Sequence, residues 1–163
     1  MLSMKSVEPL QLTLDTRFKF KCHKGIGCFT KCCGNIDIML TPYDIIRLKK
    51  RLGISSGEFL ERHILIEIDE KTSNPFVFLK MNEDSNRSCP FVTPEGCSIY
   101  SDRPANCRYY PLGQASLKKV DDKSNVVVTE EFYFFVKEAH CLGFKEDDEW
   151  TVRDWRDNQE VDI

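Results

Sequence analysis

The sequence predicts an α+β fold, with short helices packed on small antiparallel sheets in a single domain over residues 1–163. Three observations carry this expectation. Segments rich in β-formers come in pairs split by turn residues, as at 64–69 and 75–81. Other segments open with helix-capping signatures, at Thr41, Ser55 and Thr151. Seven of the eight cysteines gather into two knots that follow neither helical nor strand periodicity, and Cys141 stands alone near the end.

Taken in order, residues 10–21 alternate apolar and polar, with Leu10, Leu12 and Leu14 followed by Phe18 and Phe20. They predict a strand with one buried face that delivers Cys22 at its end. Residues 22–35 lack periodicity and hold Gly25, Gly27 and Gly34, which let backbone N–H groups face a buried anion. In the same loop Lys24 and Lys31 are expected to be solvated. Ile36–Leu40 reads as a short strand. A helix follows, with Thr41 as N-cap, Pro42 at its first position and Asp44 at its third. Ile45, Leu48 and Leu52 form its apolar face, and Gly53 ends it. Ser55 and Glu58 make a capping box for a second helix, with Phe59 and Leu60 in the core. His63 reads as a surface or satisfied core histidine, because no cysteine lies near it in sequence.

The strand pair 64–69 and 75–81 turns at residues 70–74. After a polar loop, residues 89–111 form a second knot stiffened by Pro90, Pro94, Pro104 and Pro111. Ser101 is expected to cap a short helical turn starting near Arg103 and Pro104, which fixes Cys107 and Arg108. Residues 115–120 and 124–136 read as a hairpin with Val126–Val128 and Phe132–Val136 in the core. Thr151 with Asp154 caps a final helix carrying Val152 and Trp155.

The bulk composition is that of an ordinary globular protein, with 41% hydrophobic and 30% charged residues. A formal net charge of −3 gives no global attraction to nucleic acid, and no nucleic-acid partner is expected. No apolar run is long enough for a membrane span. The N-terminus MLSMKSVEPLQL has no signal-peptide core, so a cytoplasmic location is expected. In that compartment thiols stay reduced, and clustered cysteines point to metal rather than disulfides. A bridge between the neighbours Cys32 and Cys33 would also strain the backbone.

The candidate metal ligands are Cys22, Cys28, Cys32 and Cys33 in the first knot, then Cys89, Cys97, Cys107 and Cys141. Structural zinc sites favour pairs of cysteines with two to four residues between them; the gap from Cys28 to Cys32 fits that range, but no second such pair follows. The runs of ferredoxins and of radical enzymes that cleave S-adenosylmethionine are absent. In an extended backbone Cys32 and Cys33 would point to opposite sides. They reach one centre only if the loop folds back, which Gly34 permits; otherwise they serve two centres, or one is not a ligand. Arg103 and Arg108 are candidate donors to sulfur or to a bound anion. The competing reading pairs them with Asp102 or Glu95.

These residues carry a resemblance. Cys28-x3-Cys32-Cys33, residues 40–53 (LTPYDIIRLKKRLG), residues 89–111 with GCSIYSDRPANCRYYP at their centre, and Cys141-Leu142-Gly143 are similar to the YkgJ family of cysteine-cluster proteins. That family is a zinc- or iron-chelating domain named for a CxxCxxCC pattern, and the likeness spans about residues 18–155. The first knot departs from the compact pattern, with five residues between Cys22 and Cys28. The resemblance implies a metal or iron–sulfur centre built from these cysteines. Three functions then stand open: an iron–sulfur protein exchanging electrons with a redox or protein partner, a zinc-stabilised structural or interaction module, and a lysine-methylase-like enzyme. The last lacks a GxGxxG loop for its cosubstrate. No catalytic residue can be assigned from the sequence.

Overall fold

The structure is a computed structural model, and it describes residues 11–120 and 127–162, with side chains undescribed at 117–120 and 127–129. In chain order the strands are β1 (Arg17–Lys19), β2 (Ile64–Ile68), β3 (Pro75–Leu79), β4 (Val92–Thr93), β5 (Gly96–Cys97), β6 (Leu112–Val120), β7 (Val127–Phe135) and β8 (Glu149–Thr151). The helices are α1 (Pro42–Leu52), α2 (Ser56–His63), α3 (Ala105–Tyr109) and α4 (Val152–Asn158). The strands form four two-stranded antiparallel sheets, β1–β8, β2–β3, β4–β5 and β6–β7, which makes the fold α+β.

The chain forms two compact units. The cysteine unit comprises residues 22–108 and 140–142, and it contains all eight cysteines. The other comprises residues 1–21, 109–139 and 143–163.

In the cysteine unit, α1 starts where the capping signals put it. Asp44 N–H donates to Thr41 Oγ1 at 3.1 Å, and the Asp44 carboxylate accepts from Thr41 N–H at 2.8 Å. Gly53, at φ 68°, closes the helix in the left-handed region where glycine has no Cβ penalty. Leu48 is fully buried, and Ile45 and Leu52 are packed against the same core. Ser55 caps α2 by accepting from Glu58 N–H at 3.2 Å. The Glu58 carboxylate pairs with Arg62 one turn on, at 2.8 Å. Phe59 is fully buried, whereas Leu60 is 47% exposed and corrects its expected core place. Consecutive helix positions diverge by about 100°, so only one of these neighbours can face the core.

In the same unit β2 and β3 pair from Ile64↔Leu79 to Ile68↔Pro75. Ile36–Leu40 is not a strand but a single bridge, Met39↔Phe78. Its pleat survives: Ile38 and Leu40 are buried, Met39 is exposed, and Leu40 N–H donates to Val77 O at 2.8 Å. The core joins Ile38, Leu40, Leu48, Phe59, Leu79, Phe91 and Ile99 with the buried Cys89. Here His63 stacks at 5.1 Å from Phe59 and 5.5 Å from Phe91, and burial lowers its pKa.

In the other unit, the expected strand over 10–21 shortens to β1, because a turn closes from Thr13 to Thr16 (Thr16 N–H to Thr13 O, 3.1 Å). Its alternation holds, with Leu12, Phe18 and Phe20 buried. Leu10 and Val126 lie outside the described residues, and so do the side chains of Val127 and Val128. β6 and β7 pair from Leu112↔Phe135 to Val120↔Val127. Tyr133 and Phe135 are buried, and Phe20, Phe144, Trp150 and Trp155 pack edge to face. Thr151 caps α4, accepting from Asp154 N–H at 3.0 Å, and Val152 and Trp155 are its buried residues.

Candidate metal centre

The first knot is built from consecutive tight turns. Ile26 N–H donates to His23 O, Phe29 to Ile26, Lys31 to Cys28 and Cys33 to Thr30. Thr30 adopts φ 66°, and residues Lys31–Cys33 follow as one 3₁₀ turn. The chain therefore folds back before the adjacent pair, at Thr30, and not at Gly34, which is extended at φ −137°. Gly34 serves a close approach instead. A Cβ there would lie 2.1 Å from Asn86 Nδ2 and 3.0 Å from Asn86 O. That contact lets Cys89 N–H reach Cys33 O at 2.7 Å and ties the first knot to the second.

The second knot is a small hairpin, β4–β5, followed by a 3₁₀ turn at Tyr100–Asp102 and then α3. Ser101 does not cap α3, since its hydroxyl faces Asp102 Oδ2 at 3.1 Å. The cap comes from Asp44, whose Oδ1 accepts from Ala105 N–H at 2.9 Å. Sequence inspection sees Asp44 only as the third residue of α1. Nothing local signals a partner 61 positions away.

No disulfide joins any of the eight cysteines. Cys28 and Cys89 are buried, Cys22 is exposed and the other five are half-buried. Leu142 N–H donates to Cys28 Sγ at 3.2 Å, bringing Cys141 beside the first knot. Charge–charge influence then shows which thiols lie together. Cys22, although exposed, is pushed up to about 11 by partial desolvation and by Cys32, Cys28 and Cys141. Burial pushes Cys107 up to about 12, reinforced by Cys89, Cys97 and Cys32. Cys89 and Cys97 are also raised, mainly by burial. Within the adjacent pair the Cys33 thiol donates to the Cys32 sulfur. This lowers Cys32 to about 7, helped by its own backbone N–H and by Arg103, and holds Cys33 protonated. Cys32 acts on members of both knots and is their common neighbour.

Among the described residues, no three cysteine, histidine, aspartate or glutamate side chains stand close enough to hold one ion. The donor chemistry nevertheless suits a thiophilic metal. Thiolates are the ligands of zinc and iron–sulfur centres, and burial favours the neutral form of Cys22, Cys89, Cys97 and Cys107 until metal displaces their protons.

The two arginines part company. Arg103 lies 3.8 Å above the Tyr100 ring, its Nε donates to Tyr100 O at 2.9 Å, and its charge lowers Cys22, Cys32, Cys97 and Cys107. Arg108 is 3% exposed. Burial and then Arg47 lower its pKa, while Asp44 opposes them. Asp102 pairs with Arg47 (3.5 Å) and Arg51 (3.9 Å), and Glu95 pairs with Lys24.

Residues 21–142 match the CxxCxxCC family, described as "Putative zinc- or iron-chelating domain". The matched segment covers most of the chain, and its ends nearly coincide with those of the cysteine unit. The chain belongs to this family of metal-binding proteins. No curated protein and no solved structure matches it. Among the described residues, no helix is long and apolar enough to cross a membrane.

Proposed function

We propose that this protein holds an iron–sulfur cluster through the thiols of its cysteine unit and exchanges electrons with a redox partner in the cytoplasm. The observation that carries the reading is the set of donors aimed at sulfur. Leu142 N–H donates to Cys28 Sγ at 3.2 Å, and the backbone N–H groups of Phe91, Val92 and Ile99 lower Cys89 and Cys97 against the rise that burial causes. Arg103 adds a positive charge shared by four thiols. Hydrogen bonds and charge at the sulfurs are the means by which a protein stabilises a cluster's negative charge and tunes its potential. When bound, the cluster would supply one-electron chemistry. The chain's own part is to furnish thiolates, set their hydrogen bonds and limit water access.

Anaerobically purified protein should be brown, with broad absorption near about 400 nm and matching iron and acid-labile sulfide. Colourless protein without iron would refute the reading.

A zinc-stabilised module is the second reading. Its support is that Cys89 belongs to the hydrophobic core of the unit, with Cys33, Cys97 and Cys107 packed against it. A metal there would contribute mainly folding free energy. Stoichiometric zinc without iron, and unfolding by a chelator, would favour it. Methyl transfer has the least support, since the chain lacks a GxGxxG loop.

A further inference from the structure

Asp44 is one of two buried charged residues among those described, at 1% exposure, and the other is Arg108. Its carboxylate is divided between two tasks. Oδ2 accepts from Thr41 N–H at 2.8 Å and from Thr41 Oγ1 at 2.7 Å, closing the start of α1. Oδ1 reaches Ala105 N–H at 2.9 Å, at the start of α3. From there α3 is a single turn, in which Cys107 N–H (2.9 Å) and Arg108 N–H (3.1 Å) both donate to Pro104 O. Asn106 Nδ2 adds a contact to Met39 O at 3.3 Å, so the turn is pinned once to the first turn of α1 and once to the residues preceding it.

A cap alone does not need this arrangement. Thr41 would cap α1 without a carboxylate reaching elsewhere, and a five-residue helix gains little stability from a cap by itself. What the arrangement achieves is orientation. A turn this short has few internal hydrogen bonds, so the direction of its side chains depends on what holds its ends. Cys107 sits two residues from the Ala105–Asp44 bond and packs against the core cluster that holds Cys89, as Cys33 and Cys97 do.

We propose that Asp44 is a positioning residue of the metal centre, fixing Cys107 among the thiols by anchoring α3 to α1. The inference rests on the thiolate-metal reading and names a residue beyond the cysteines. It also gives the segment 40–53, which holds no cysteine, a part in the site through its bond to Ala105.

Cobalt titration of the full chain tests it, because sulfur-to-cobalt charge-transfer absorption scales with the number of bound thiolates. Three variants separate the roles. Asp44→Asn weakens both tasks. Ala105→Pro removes only the N–H donor, at a first helical position that tolerates proline, and leaves the carboxylate in place. Thr41→Ala disturbs only the α1 cap.

For a four-thiolate site, Asp44→Asn and Ala105→Pro should each lose about one part in four of the band per cobalt. Cys107 should then become open to alkylation in the loaded protein. Thr41→Ala should keep the full band and a protected Cys107. If Asp44→Asn does not fold, Ala105→Pro alone decides. An unchanged band with a protected Cys107 in Ala105→Pro overturns the inference and leaves the metal reading intact. Absence of the band from the unaltered protein overturns both.

Discussion

The adjacent pair Cys32 and Cys33 should leave a distinctive mark on stability in the metal-stripped, reduced protein. In the folded state Cys32 ionises near pH 7 rather than at its ordinary 9.0, because the Cys33 thiol donates to its sulfur. A group with a lowered pKa contributes stability that is complete above the unfolded value and fades as pH falls through the folded one. Stability should therefore rise between pH 7 and 9, by about 2–3 kcal/mol at 1.36 kcal/mol per pH unit. Cys107 works in the opposite sense. Burial holds it protonated to about pH 12, so its contribution is present below pH 9 and lost above, up to about 4 kcal/mol. Cys89 and Cys97 add to that loss, since they too are raised by burial. The metal-free protein should be most stable near pH 9. Urea unfolding at half-unit steps from pH 7 to 11, under reductant and chelator, measures the curve. Cys33→Ala removes the donor and should abolish the rising limb, while Cys107→Ala should make the falling one shallower, with the other raised thiols still contributing. Stability that is flat or declining from pH 7 to 9, or a rising limb that survives in Cys33→Ala, would refute the reasoning.

Two further perturbations test how the core and the close approach support the thiols. Phe59→Ala should cost about 3–5 kcal/mol in urea unfolding, because the ring is fully buried in the core that contains Cys89. The same change exposes His63, whose pKa should rise toward 6.5 in an NMR titration; an unmoved titration would show that Phe59 does not shield it. Gly34→Ala places a Cβ 3.0 Å from Asn86 O and should cost about 1–3 kcal/mol as the two segments separate. Amide exchange at Cys89, which donates to Cys33 O, should accelerate, and unchanged exchange would mean that Asn86 yields without moving the knot.

Much of the fold is legible locally. The Thr41–Asp44 and Thr151–Asp154 pairs mark helix starts because a side chain three residues on reaches back to the same cap, whatever surrounds it. The β2–β3 pairing follows from two short strands and one tight turn. Misreadings fall where local pattern and packing diverge. Ile36–Leu40 keeps its alternation yet makes one bridge, and Leu60 points outward because Phe59 takes the core. Ser101 looks like a cap, but Asp44 reaches the α3 N–H first.

The chemistry available is written in the amino-acid sequence: eight thiols, seven of them dense in two knots, and the capped helices and short strands that carry them. Which thiols influence one another follows from the folding of the whole unit. It made Cys32 the common neighbour of both knots, brought Cys141 beside Cys28 through Leu142 N–H, and gave Asp44 a second helix to hold. Arg103 came to act on the thiols while Arg108 was buried near Asp44. The division has a physical reason. Caps and turns are short-range hydrogen bonds between residues a few positions apart, whereas each long-range contact depends on how the whole core packs.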